Sequence, residues 1–445
     1  MSTIAFLNIP MHGHINPTLP IVAELVRRGH RVTYHTWPAF RQEIEATGAV
    51  VRLHPGGDFP APDPPMPVTL MEELARTTVR LLPAVLSDLR GTPPDLVVHD
   101  NACLWGAIAA RELAVPAAAS FTTFAYNRSV PSPTSASWAL LASAAAHARH
   151  ARGYLRARRE LRRRYDTRGL PPLDLGNIRQ PLNLVYTSRT FQPGAEDLAP
   201  SYRFVGPSIG ARPVDPSLPV EPLRDPVMYA SLGTLFSADP RMLRTFATAL
   251  APLGGTVIIS TGHTDPAALG PLPAQVIARH SVPQLQVLGR AALFITHGGM
   301  NSVNEALYAG VPMLVVPQGA DQPLVARRVT ELGAGLSLRN RDVTEDAVRA
   351  LARSLLEVPR FRSAANTLAA AQRGAGGFRR AADELERYLR DSVPTDRPAP
   401  APARGAAPGP GAGPGTGAGA SPGPALGPGP GAGPAPPFHD PSPRG

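Results

Sequence analysis

Short apolar runs alternate along the chain with stretches whose apolar positions recur at helical spacing. The runs lie near residues 3–9, 31–37, 50–53, 95–99 and 116–119 in the first half, and near 227–231, 256–260, 276–278, 293–296 and 312–316 in the second. Each predicts a buried strand and the intervening patterns predict helices, so both halves read as α/β units with parallel sheets flanked by helices. The first helix shows the boundary signals. Asn16 is placed to cap it and Pro17 to open it, while Leu19, Val22, Ala23 and Val26 face the core before Gly29 stops it.

Two shifts in composition divide the chain. A Pro-rich stretch over 206–226 reads as a linker. The end, from about residue 393 to 445, is almost wholly Pro, Gly and Ala; it cannot bury a core and is expected to be disordered. Its glycines do not recur at every third position, which argues against a collagen helix. The predicted organisation is a first domain over 1–207, a linker over 208–226, a second domain over 227–372, a C-terminal helix over 373–392 and a tail over 393–445.

Candidate chemistry concentrates where strands end. Phe294-Ile295-Thr296 runs into His297-Gly298-Gly299 and then a helix. A helix N-terminus with no bulky side chain before it offers unpaired N–H groups and the positive end of its dipole to an anion. His297, Asn301 and Ser302 add side-chain donors, and Glu305 lies one helical turn beyond Asn301. The next strand is followed by Asp321-Gln322, a pair suited to sugar hydroxyls. Strand, phosphate turn, helix, strand and polar pair together read as a nucleotide-sugar site.

At the other end, the run from Ile4 to Pro10 leads into Met11-His12-Gly13-His14-Ile15-Asn16-Pro17, which puts His14 at the carboxyl end of the first strand. Open α/β sheets bind ligands at that edge. An imidazole with an unperturbed pKa near 6.5 is mostly neutral at pH 7 and can take a hydroxyl proton, provided that a carboxylate orients it. Asp95 begins the strand near 95–99 and Asp100 ends it, so Asp100 is the expected partner. The other role open to Asp100 is a cap on the helix that starts near Ala102.

The segments Ser281-Val282-Pro283-Gln284, His297-Gly298-Gly299, Asn301-Ser302, Glu305, Gly310-Val311-Pro312 and Asp321-Gln322 span about 40 residues. In order and spacing they resemble the donor signature of the UDP-sugar-dependent glycosyltransferases that act on small lipophilic acceptors, with the bacterial macrolide glycosyltransferases as the nearest branch. The Gly13-His14-x-x-Pro17 pattern is similar to that family's general-base motif. The resemblance implies GT-B architecture, two facing Rossmann-like domains, with the acceptor on the first domain and the nucleotide sugar on the second. It also implies that the helix near 375–391 crosses back onto the first domain. By the same resemblance Val282 and Gln284 sit with the uracil, and His297, Gly298, Gly299, Asn301 and Ser302 hold the diphosphate. Glu305 takes the ribose hydroxyls, Asp321 and Gln322 grip the hexose, and Ser231-Leu232-Gly233-Thr234 forms a second phosphate-side turn. Plant relatives carry a tryptophan at the position of Val282, so ring stacking on the base is lost here.

The implied reaction is an inverting transfer with His14 as base and Asp100 behind it. UDP-glucose or a related nucleotide sugar is the co-substrate, and neither a cofactor nor a metal is required. Asp321 and Gln322 would be left unpaired by a deoxysugar, which favours an intact hexose such as glucose. Apolar residues near 55–80 and 121–150, among them Phe59, Met66, Leu70, Phe121, Phe124, Tyr126 and Trp138, are expected to line a pocket for a macrolide, flavonoid or other polyketide. Other readings stay open: a transferase using a thymidine-linked deoxysugar, a nucleotide-sugar epimerase of the same architecture, and a non-catalytic helper. The Gly-His-x-x-Pro pattern and Asp321-Gln322 weigh against the epimerase, and the His14 and Asp100 pair weighs against the helper.

Charge and cysteine content add limits. The net charge of +10 is carried wholly by arginine on the basic side, and residues 149–168 hold nine arginines against Glu160 and Asp166. With only Tyr154 and Tyr165 interleaved, the segment reads as a solvated helix near the acceptor cleft rather than a nucleic-acid surface. Cys103 is the single cysteine, which excludes an internal disulfide. The start carries no basic leader and no apolar run reaches the roughly 18 residues of a membrane helix, so a cytoplasmic enzyme without stable membrane insertion is expected.

Overall fold

The computed structural model describes residues 1–60, 62, 67–127, 130, 148–173, 175–210, 218, 222–233 and 239–392. Met66, Thr234, Trp138, most of the 208–226 linker and the whole 393–445 tail lie outside the described residues.

The first domain builds one parallel sheet from β1 (Thr3–Leu7), β2 (Arg31–Thr36), β3 (Val50–Leu53), β4 (Leu96–Asp100), β5 (Ala117–Phe121), β6 (Leu182–Val185) and β7 (Tyr202–Phe204). Its helices are α1 (His12–Ile15), α2 (Leu19–Arg27), α3 (Arg41–Glu45), α4 (Pro67–Gly91), α5 (Leu104–Glu112) and α6 (Ala148–Arg164). The strand order is β3-β2-β1-β4-β5-β6-β7, with every pairing parallel. The chain therefore runs outward from β1 to one side and resumes at β4 on the other. That reversal opens a crevice at the carboxyl ends of β1 and β4.

The second domain repeats the plan with β8 (Val227–Ser231), β9 (Thr256–Ser260), β10 (Val276–Arg279), β11 (Ala291–Thr296), β12 (Met313–Val315) and β13 (Gly335–Ser337). Its helices are α7 (Pro240–Leu250), α8 (Gln284–Arg290), α9 (Met300–Ala309), α10 (Gln322–Glu331), α11 (Glu345–Glu357) and α12 (Pro359–Gly374), and α13 (Gly377–Ser392) follows. The order β10-β9-β8-β11-β12-β13 reverses between β8 and β11. Both sheets are thus covered α/β layers, which is why Ile4, Ala5, Phe6 and Leu7 in β1, and Leu293, Phe294 and Ile295 in β11, can be apolar on both faces.

All ten strands expected from the apolar runs are present, and three more occur. β6, β7 and β13 fall outside the apolar runs: each is three or four residues long and carries a polar residue, Asn183, Arg203 and Ser337 respectively. The start of the first helix also differs. Residues His12–Ile15 already form a helical turn, Asn16 ends it, and Thr18 precedes α2 without a side-chain cap. The Thr18 hydroxyl instead donates to the Ile15 carbonyl at 2.7 Å and meets the Tyr34 hydroxyl at 2.8 Å. Gly29 stops α2 as expected, with φ of 86° and its N–H on the Val26 carbonyl at 2.9 Å.

Two features tie the domains together. Helix α13 packs Ala381, Ala382, Leu385 and Leu389 into the core formed by Ile21, Val22 and Leu25 of α2. Arg28 reinforces the seam with Asp383 at 2.7 Å and Glu386 at 2.9 Å. The second is a buried polar knot. Thr187, just past β6, donates to Asn304 Oδ1 at 2.8 Å, and Asn304 Nδ2 donates to the Tyr186 carbonyl at 2.9 Å. Gln372 of α12 donates to the same Asn304 oxygen at 3.0 Å and accepts from the Ser188 N–H at 2.8 Å. Each member is satisfied, which a buried polar network requires.

Leu385 is fully buried, so Leu385→Ala should destabilise the folded chain by about 2–5 kcal/mol, read as a lower denaturant midpoint. An unchanged midpoint would mean that α13 is not part of the first domain's core.

Candidate functional site

The first half of the site grows from the crevice between β1 and β4. A Cβ-free Gly13 and the turn α1 carry His14 directly beyond β1, and the Asn8 amide pins that turn from below by donating to the His14 carbonyl at 3.1 Å and to the Tyr34 hydroxyl at 2.8 Å. His14 Nδ1 lies 2.6 Å from Asp100 Oδ2. The other Asp100 oxygen accepts the Ala102 N–H at 2.8 Å. Asp100 therefore fills both roles open to it in the sequence, imidazole partner and cap, although the helix proper begins at Leu104 after Cys103. Asp95 bonds the Thr3 N–H at 2.8 Å, at the opposite end of the sheet.

A carboxylate only accepts, so Nδ1 carries the proton and Nε2 is left with its lone pair. The Asp100 side chain is 0 % exposed while that of His14 is 20 % exposed, so the pair is anchored inside and open outside. Burial opposes a charged imidazole, but the charge and hydrogen bond of Asp100, aided by Asp321, outweigh it and raise the His14 pKa above 6.5. An imidazole so held can accept a proton at Nε2. Thr122 was missed in the sequence; its hydroxyl stands 3.0 Å from His14 Nδ1. The signal lay in the register, because Ser120 of β5 pairs with Asp100 and Thr122 follows two residues on.

The second half occupies the crevice between β8 and β11. His297, Gly298 and Gly299 join β11 to α9, and Gly298 adopts φ of 88° with a Cβ position only 2.8 Å from Val315. That turn requires glycine. Helix α9 starts at Gly299 with no side-chain cap and no acidic residue in its first turn, so its leading N–H groups remain free for an anion. The His297 ring lies between Gly233 and Gly299, where a Cβ on either glycine would collide with it. Its Nδ1 is buried without a partner, and burial pulls its pKa down to about 4 against a hydrogen bond with the Ser231 backbone. Uncapped helix N–H groups beside a neutral imidazole suit a diphosphate. Ser231 closes β8 beside this turn, and its hydroxyl accepts the Gly233 N–H at 3.4 Å.

Glu305 is nearly buried, at 8 % exposure, and Gln284 Nε2 donates to its Oε2 at 2.7 Å. The same amide nitrogen is 3.4 Å from Ser302 Oγ. Val282 is partly buried against the second domain's core. Asp321 is partly buried at the start of α10; burial raises its pKa, while its own backbone N–H and the charge of His14 pull the other way. Gln322 is buried, and its side-chain oxygen accepts the N–H groups of Gln318 at 2.7 Å and Gly319 at 3.2 Å, leaving its amide nitrogen for a ligand.

The two halves meet. Asn301 Nδ2 donates to the Gly13 carbonyl at 2.9 Å, so the amide expected to face phosphate bridges the domains. The charges of His14 and Asp321 act on each other across the same gap.

The expected acceptor residues divide differently. Phe121 and Phe124 are 0 % exposed: Phe121 packs on Tyr202 with ring centroids 5.6 Å apart, and Phe124 on Phe191 at 5.5 Å. Both are core side chains with no surface to offer an acceptor, Phe121 as the last residue of β5 and Phe124 three residues beyond it. Phe59 is only partly buried and packs edge-on against Trp37 at 5.7 Å. Trp37 sits just past the carboxyl end of β2, which neighbours β1 in the sheet.

Among known proteins, residues 244–376 match the family described as Erythromycin biosynthesis protein CIII-like, C-terminal domain. The chain is 33% identical over 400 residues to the NDP-glycosyltransferase YjiC of Bacillus subtilis (strain 168), spanning 88% of this chain and 98% of that protein. It is 31% identical over 412 residues to the oleandomycin glycosyltransferase of Streptomyces antibioticus, spanning 89% and 94%. The crystal structure of the glycotransferase of kitacinnamycin is similar with a TM-score of 0.78 at 29% identity, covering 87% of this chain and 99% of that one.

Replacing Asp100 with Asn removes the charge that raises the His14 pKa and leaves burial, which lowers it. An NMR titration should therefore show His14 titrating above 6.5 in the native chain and at lower pH in Asp100→Asn. His297 should remain neutral down to about pH 4 in both. A His14 pKa that does not move would remove Asp100 as its partner.

Proposed function

The chain belongs to the macrolide glycosyltransferase family, and we propose that it is an inverting enzyme that moves glucose from UDP-glucose to a hydroxyl of a small lipophilic acceptor. The observation that carries this reading is the convergence of His14, held by Asp100 at 2.6 Å, with Asp321 and the uncapped start of α9 from the other domain. The acceptor hydroxyl gives its proton to His14 Nε2 as its oxygen bonds to the anomeric carbon. The bond from that carbon to the diphosphate breaks with its electron pair on the leaving oxygen, and Asp100 stabilises the imidazolium that forms. Attack opposite the leaving group converts an α-linked donor into a β-glycoside.

On the donor side, the uncapped N–H groups of α9 and His297 meet the leaving diphosphate, where developing negative charge gains most from fixed donors. Glu305 accepts from the ribose hydroxyls, which favours a ribonucleoside. Asp321 and the amide nitrogen of Gln322 meet adjacent hexose hydroxyls. A deoxysugar would leave such groups unpaired, a discrimination of about 1–3 kcal/mol for each buried group. The oleandomycin glycosyltransferase named among the relatives supports an acceptor of macrolide size.

Initial rates should be measured with UDP-glucose, dTDP-glucose and a thymidine-linked deoxysugar against macrolide, flavonoid and aromatic polyketide acceptors, with products weighed by mass spectrometry. The expected result is acceptor-dependent UDP release with a hexose mass gain, at least about tenfold faster than with either thymidine donor. Faster transfer from the thymidine-linked deoxysugar would overturn the choice of donor and sugar.

A further inference from the structure

Nine arginines lie between residues 149 and 168, and most of them fall on α6. The inner side of that helix is locked. Tyr154, Ala157 and Leu161 enter the core beside Met71, Leu74 and Leu82 of α4. The Tyr154 hydroxyl donates to the Pro172 carbonyl, Arg158 donates to the Pro171 carbonyl at 3.3 Å, and His150 meets Glu72 of α4 at 2.6 Å. The outer side is thereby fixed toward solvent. On it Arg152, Arg156, Arg159 and Arg163, spaced four, three and four residues apart, form one exposed row, about 16 Å long.

Helix stability does not account for this row. Arg162, Arg163 and Arg164 stand in the last turn, where a cation suits the helix dipole; Arg149 and Arg152 stand near the start, where it does not, and the first turn holds no acid. Arginines three and four residues apart also repel one another. Glu160 is the single acid of α6, and Arg164 takes it at 3.0 Å. Among the described residues no acidic side chain pairs with Arg152, Arg156, Arg159 or Arg163. Nor does the composition of the tail offer a net counter-charge, because Asp396 and Asp440 are outnumbered there by Arg397, Arg404 and Arg444.

The apolar neighbours of the row indicate what kind of anion fits it. Leu155 stands beside Arg152 and Arg159 on the same face and is 46 % exposed, and Leu173, in the segment fastened to α6 through Pro171 and Pro172, is 48 % exposed. Single-stranded nucleic acid stacks its bases on open aromatic rings, but Tyr154 is buried and Tyr165 is partly buried. Guanidinium groups that can hold phosphate bidentately, with leucine among them, match the headgroup layer of an anionic bilayer. No helix among the described residues is long and apolar enough to cross a membrane, so the contact is with the surface alone. We propose that the outer face of α6 docks the protein on an anionic phospholipid surface, with Arg152, Arg156, Arg159 and Arg163 on the phosphates and Leu155 among the headgroups. The docking does not depend on the transfer reaction proposed above.

The test is sedimentation of the full chain with phosphatidylcholine vesicles, alone and with about 30 % phosphatidylglycerol, at about 0.05 M and about 0.5 M salt. The anionic vesicles should be bound at least about tenfold more tightly than the neutral ones at the lower salt, and the difference should vanish at the higher. Arg152→Gln, Arg156→Gln and Arg159→Gln combined keep helix-forming side chains and relieve the repulsion, so the far-UV spectrum should not change while binding falls about a hundredfold. Leu155→Ser should weaken vesicle binding by about threefold to tenfold and leave binding of a uridine oligonucleotide unchanged. Equal binding to both vesicles, or binding to neither, would overturn the proposal. A folded triple variant that binds anionic vesicles as the native chain does would move the contact off α6 and overturn it too. Tighter binding to the oligonucleotide than to the vesicles, with Leu155→Ser without effect on either, would assign the row to nucleic acid instead.

Discussion

A carboxyl group taken wholly out of water must be matched by donors, and that requirement at Asp100 organises the first half of the site. One oxygen takes the Ala102 N–H and so shapes the turn that leads into α5. The other takes His14 Nδ1 and so fixes the tautomer of the imidazole, the side from which it can act and the direction in which its pKa moves. Asn8 and Tyr34 hold the α1 turn from below, so the pairing does not depend on His14 alone. One buried carboxyl group thereby joins the end of β4, the start of α5 and the turn after β1.

The second domain meets the same problem in reverse. Its unmatched groups are the uncapped N–H groups of α9, which can only donate, and the orphaned Nδ1 of His297, lodged between Gly233 and Gly299. No acidic side chain lies in the first turn of α9, and Glu305, further along the same helix, is bonded by Gln284. Asn304 on that helix is bolted to the end of β6 and to α12, and Asn301 reaches Gly13. The helix proposed to face the diphosphate is therefore fastened to the domain that carries His14. A transfer site needs both halves in register, and α9 supplies the mechanical link.

Much of this was legible in the sequence. Ten strands could be read because buried parallel strands are short apolar runs, and the two turns that face the crevices followed from where glycine and histidine interrupt those runs. The strands β6, β7 and β13 escaped: each is three or four residues long and is broken by a polar residue, Asn183, Arg203 and Ser337 respectively. Phe121 and Phe124 misled because an aromatic at or just past a strand's carboxyl end can face the crevice or fold under it, and here Tyr202 and Phe191 take them into the core. Gln322 looked like a sugar ligand in full, yet its oxygen is claimed by Gln318 and Gly319, a local bond that composition does not reveal.

In the proposed reaction His14 removes the acceptor's proton during transfer. The most direct measurement compares His14→Ala with the native chain on two acceptors at pH 8.5, an aliphatic alcohol and a phenol acidic enough to be ionised before it binds. The account predicts a loss of about 10²–10⁴-fold on the alcohol and a loss of less than about tenfold on the phenolate, which brings no proton to remove. Equal losses on both acceptors would contradict it, because they would make His14 a residue that shapes the site without taking the proton.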